Sequence, residues 1–211
     1  IVAAHDDRPM AMLRERLAVN RKQLGTRIDL TARIGALRHA LVELRADAAD
    51  WTVDRDGFDA VGEGLRRIYR RTRKAMAHVE RQGSAEDFHA WRKGVKYHWC
   101  HTRLLSAIWP DEMTVHAEAA KALGETLGEH HDLDVLRYMI ARAPGDYGDA
   151  VDVAAFLGLL ATQGAQLAQH ALAEGYLLLA ETPDALVDRW RRYWDAWQEQ
   201  GQEQVLVRAS E

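Results

Sequence analysis

A single cysteine, Cys100, occurs in the 211 residues. That count excludes a disulfide framework, a CxxC redox motif and a thiolate zinc site. With 4 prolines and 15 glycines the chain is also unlike collagenous or low-complexity sequences. No run of about 18 apolar residues is present, which predicts that no helix spans a membrane. No glycine-rich turn follows a strand-like run, so the dinucleotide-binding α/β plans are excluded as well. The chain opens Ile1-Val2-Ala3-Ala4-His5, with neither Met nor a basic-then-apolar leader, and therefore reads as a trimmed piece. A cytoplasmic location is the default expectation, and Cys100 reads as a small buried filler.

Acidic residues are scarce in one place only. Residues 66–103 hold 11 basic side chains against Glu80, Glu86 and Asp87, a net charge of +8. The whole chain carries -4, so everything outside that stretch sums to -12. So polar a distribution concentrates positive potential and points to a polyanionic partner.

Apolar residues recur at helical rather than strand spacing throughout. Helices are predicted over 9–23, from Asp29 or Thr31 to Ala49, and over 58–82, 85–108, 111–143 and 150–172. The last of these continues through 174–180 with Gly175 as a bend, and Thr182-Pro183 opens a final helix to about Gln200. Trp51–Gly57 reads as a loop, Ser84 and Asp87 as a weak capping box, and 201–211 as a fraying tail. Short connections between so many helices imply an all-α protein of antiparallel bundles.

The charges fall on helix faces. His89, Arg92, Lys93 and Lys96 stand at i, i+3, i+4 and i+7, within an arc of about 100°. Arg66, Arg70, Arg73 and Lys74 occupy about 120° of the preceding helix. Like charges so spaced repel, and a bound polyanion offsets the repulsion. Because the short turn near Gly83 makes the two helices neighbours, their basic faces are expected to line one groove. Aligning Arg73-Lys74 with Arg92-Lys93 also matches Arg70 with His89, a faint internal repeat. Further along, His131 follows Leu123 and Leu127, with His130 as its outward neighbour. Lys121, His130 and Arg137 are weaker candidates for the same site.

Metal chemistry has little support. A di-iron bundle needs two Glu-x-x-His elements, and only Glu86–His89 is present. His101 or His116 could bind zinc only with help from other helices, and the expectation is no metal and no cofactor. Trp91, Trp99, Trp190, Tyr193, Trp194 and Trp197 read as packing residues before stacking platforms for bases.

The segment His89-Ala90-Trp91-Arg92-Lys93-Gly94-Val95-Lys96, with Gly128-Glu129-His130-His131-Asp132-Leu133 after it, resembles the signatures of the conserved-histidine α-helical domain, CHAD. A preceding stretch, Gly64 to Met76, resembles the segment that one subtype carries. The similarity runs over about residues 10–198. It implies two antiparallel four-helix bundles with approximate twofold symmetry, in one domain with halves 1–83 and 84–200. Such domains bind inorganic polyphosphate in a basic, histidine-lined central cavity and locate to polyphosphate granules. Some are linked to triphosphate tunnel enzymes. Carried over by position, the resemblance makes His89, Arg92, Lys93, Lys96 and His131 phosphate contacts, and sets Arg66, Arg70, Arg73 and Lys74 as the paired face. Many relatives begin with a His- and Arg-rich helix. Residues 8–23 offer Arg8, Arg14, Arg16, Arg21 and Lys22 but no histidine, which leaves the first bundle incomplete. The resulting expectation is non-catalytic polyphosphate binding. Nucleic-acid binding or service as an accessory to a triphosphate or polyphosphate hydrolase are the alternatives, with granule proteins or a tunnel triphosphatase as further partners.

Overall fold

In the computed structural model, residues 8–27 and 29–209 are described. Among them the chain forms seven α-helices: α1 (Arg8–Arg27), α2 (Leu30–Ala49), α3 (Asp59–Arg81), α4 (Ala85–Leu104), α5 (Pro110–Arg142), α6 (Ala150–Leu178) and α7 (Pro183–Ala209). Two short 3-10 turns, Ser106–Ile108 and Pro144–Asp146, interrupt the connections.

Local chemistry sets the ends. Asp29 rather than Thr31 caps α2, its side chain accepting from the Ala32 N–H at 2.9 Å. Ser84 caps α4 by accepting from the Asp87 N–H. Asp87 is too short to return the favour to the cap backbone and accepts from the Ser84 hydroxyl instead. Gly83 turns the chain between α3 and α4 at φ +59°, a conformation that costs other residues a Cβ clash.

Several boundaries differ from expectation. The fourth helix stops at Leu104, and the 3-10 turn takes the rest of its predicted length. Pro110 opens α5 instead of preceding it, since a first-turn residue needs no N–H. α6 runs through Gly175 without interruption. A Cβ there would sit 2.6 Å from the Trp91 ring and 3.0 Å from the Met76 sulfur, so the glycine admits a close approach. The final helix continues to Ala209 and takes in Val205-Leu206-Val207. Finally, α6 contains a window apolar and long enough to cross a membrane, which the sequence reading had excluded. Only 11% of that window is buried; Ala171 and Leu178, toward the end of the helix, belong to the main core.

The chain divides into two compact units. One comprises residues 54–135 and 162–211 and holds the main core, where Leu65, Tyr69, Trp91, Val95, Leu123, Leu127, Leu186 and Trp190 are fully buried. The other comprises residues 1–53 and 136–161, with Leu13, Ile140, Tyr147, Val153 and Leu160 buried.

Candidate functional site

α3 and α4 come into close contact at Gly94. A Cβ on that glycine would lie 2.4 Å from the Thr72 hydroxyl oxygen and 3.1 Å from the Thr72 Cα. The Thr72 hydroxyl, which faces this glycine, donates to the Ile68 carbonyl at 2.8 Å. The crossing fixes which arcs of the two helices face each other. At about 100° per residue, Arg92 and Lys96 stand roughly 160° from Gly94 on either side of α4's far face. Arg70 and Lys74 stand equally far from Thr72 on α3. The two basic faces therefore point away from each other, and the single groove between them predicted from the sequence does not exist. Spacing locates an arc of charge, but only packing decides what that arc faces.

On α3, Arg66 is engaged by carboxylates. Its guanidinium contacts Glu63 at 2.9 Å and Asp184 of α7 at 2.8 Å. Arg73 is half-buried near Tyr69, while Arg70 and Lys74 are exposed. Tyr69 itself is buried and donates to the Leu178 carbonyl at 3.3 Å. Burial pushes its hydroxyl up to about 12, and the charge of Glu181 adds to the effect.

The basic face of α4 has a different neighbour, α5. The rings of His89 and His131 lie 5.9 Å apart across these two helices. The Arg92 guanidinium lies over Gly128, 3.6 Å from where a Cβ would be, so that glycine makes room for the arginine. Beside it opens a cavity of about 500 Å³ whose charged lining is Arg92, Lys96 and Lys121 with Glu125, Glu129 and Asp132. Ala120, Gly124 and Gly128 form its floor on α5, and Trp99 closes one side. Lys121 is held 3.6 Å from Glu125 one turn along its own helix. Lys93, next to Arg92 in the chain, is exposed. Among the described residues, no ion pair joins Arg70, Arg73, Lys74, Arg92, Lys93 or Lys96 to a carboxylate. The structure thus brings together His89, Arg92, Lys96, His131 and Lys121, and Lys93 adjoins Arg92 in the chain. It leaves Arg66, Arg70, Arg73 and Lys74 elsewhere.

His130 is the inward member of its pair, not the outward one. It is buried, stacks on Phe88 at 3.8 Å and lies 3.7 Å from Asp134. The sequence held the signal for this, because Leu123, Leu127 and His130 continue one i, i+4, i+7 stripe. Arg137 falls in the other compact unit and has an interaction of its own.

Sequence reasoning missed a second histidine pair. His98 of α4 and His116 of α5 meet Nε2 to Nε2 at 2.8 Å. His98 is fully buried, stacked on Trp190 at 5.7 Å and tilted against Tyr69 at 5.1 Å. Burial drives the His98 imidazole well below the ordinary histidine range, and the nearby His116 and His101 push the same way. Burial also lowers His116, helped by Arg189, and lowers His101. The pair is a neutral hydrogen-bonded staple. Cys100 is exposed rather than buried, because α4 turns Trp91, Val95, His98 and Thr102 inward. Trp190 is core, Tyr193 and Trp194 pack against it, and Trp197 is exposed. Among the described residues, no group of three or more His, Cys, Asp or Glu side chains could hold a metal.

The chain is thus all-helical, with a histidine-flanked cationic row on α4 facing α5. The CHAD domain model matches residues 2–141, and the chain belongs to that family. The match covers α1 to α5, which carry the whole α4–α5 site, and stops short of α6 and α7. No curated protein and no solved structure matches the chain.

Proposed function

We propose that this domain binds inorganic polyphosphate along α4, through His89, Arg92, Lys93 and Lys96, with His131 and Lys121 contributed by α5. One observation carries the reading: the cations of α4 have no carboxylate partners among the described residues although the chain as a whole is acidic. Arg92 supplies a planar fork for phosphoryl oxygens, and the lysines act as mobile point charges. Neither a nucleophile nor an activated water is needed. The symmetric pair of four-helix bundles, a granule location in the cytoplasm, and docking with granule proteins or a tunnel triphosphatase belong to the same reading. Nucleic acid is the competing polyanion.

The test is titration with phosphate chains of increasing length at two salt concentrations. Affinity should rise with length and fall steeply with salt. Arg92→Ala with Lys96→Ala should weaken binding at least about 100-fold, given roughly 1.5–3 kcal/mol for each charged hydrogen bond. Arg70→Ala with Lys74→Ala should cost no more than a few-fold, through the general field. Equal losses in the two double variants, or tighter binding of DNA or RNA than of long-chain polyphosphate, would refute the assignment.

A further inference from the structure

Along α2, Leu30, Ile34, Leu37, Leu41, Leu44 and Ala48 recur in alternating steps of four and three, the spacing of a helix-pairing seam. This seam is bare. The five large side chains are between 48% and 63% exposed, and no residue of α2 is buried. A row of leucines some 30 Å long left in water calls for a cover. Charges on either flank of the seam say what the cover is. One flank carries Arg33, Ala40 and Asp47, the other Thr31, Arg38 and Arg45.

We propose that a second copy of this chain covers the seam, α2 pairing with α2 antiparallel about a twofold axis. In the register that sets Leu37 opposite Leu41, Ile34 opposite Leu44 and Leu30 opposite Ala48, the first flank meets itself reversed. Arg33 of each copy then faces Asp47 of the other, and Ala40 faces Ala40. The cost is one like-charge contact, Arg38 with Arg38, at the axis. A parallel pair would instead place Arg33 against Arg38 twice and gain neither Asp47 contact. Charge therefore selects the antiparallel dimer, in which the same patch serves both copies.

Sedimentation equilibrium of the full chain tests this. The expected result is a reversible shift from 23.9 kDa to twice that mass as concentration rises. Leu37→Glu with Leu41→Glu should remain monomeric with unchanged helix content, since both leucines are exposed. Asp47→Arg should weaken association about tenfold or more, and adding Arg33→Asp should restore it. A monomer at every concentration, a dimer that survives the leucine changes, or an Asp47→Arg effect that Arg33→Asp does not rescue would each overturn the proposal.

Discussion

His89 and His131 meet at 5.9 Å on a surface shared with Arg92, Lys93 and Lys96, whereas His98 and His116 share a 2.8 Å contact against Trp190. Both pairs join α4 to α5. Their surroundings give one side chain two uses. In the buried pair burial disfavours a positive charge, so the imidazoles stay neutral and share one hydrogen bond. At the surface pair the ring nitrogens are open to an incoming phosphate as hydrogen-bond partners. Acid should therefore loosen the fold at the buried pair, whereas removing the surface rings should weaken anion binding and spare the fold.

The largest effect lies with the buried pair. His98, His116 and His101 all titrate below the ordinary histidine value of 6.5 in the folded chain. Below about pH 6.5 the unfolded chain takes up protons that the folded chain refuses, so stability falls with falling pH. Each refused proton costs about 1.4 kcal/mol per pH unit across that window. Urea unfolding between pH 7.5 and 5 should show the decline. His98→Gln with His116→Gln, which keeps two polar partners but removes the titration, should flatten most of it. An unchanged slope would place the acid sensitivity elsewhere and break the comparison.

Next in size is the surface pair. His89→Gln with His131→Gln should weaken polyphosphate binding several-fold and leave urea unfolding unchanged, since neither side chain is buried. If the variant binds as the wild type does, the rings do not touch phosphate and the two pairs differ only in burial.

The all-α architecture was legible because apolar periodicity and capping residues such as Ser84 act locally, within a turn or two. The α4 row was legible for the same reason. What faced that row was not. The sequence offered two basic arcs on adjacent helices, and proximity in the chain suggested that they converge. Gly94 decided otherwise by letting Thr72 approach from the opposite side, a three-dimensional fact with no trace in charge spacing. Likewise Arg66 meets Asp184 across 118 positions, beyond any local pattern. The His98–His116 contact joins residues on different helices, and only the burial of Trp190 beside them gives it a dry environment.

The smallest effect concerns the acidic side of the cavity. Glu129 and Asp132 line the same space as Arg92 and Lys96. Neither carboxylate has an ion pair with those cations among the described residues. A polyphosphate lying along α4 would pass near both, and at an effective dielectric near that of a protein surface each like-charge contact opposes binding by a modest amount. Glu129→Gln with Asp132→Asn should therefore tighten polyphosphate about two- to fivefold at low salt, with the gain fading as salt screens it. Looser binding in this variant would mean that the carboxylates position Arg92 or His131, and that the cavity is organised by them rather than merely tolerating them.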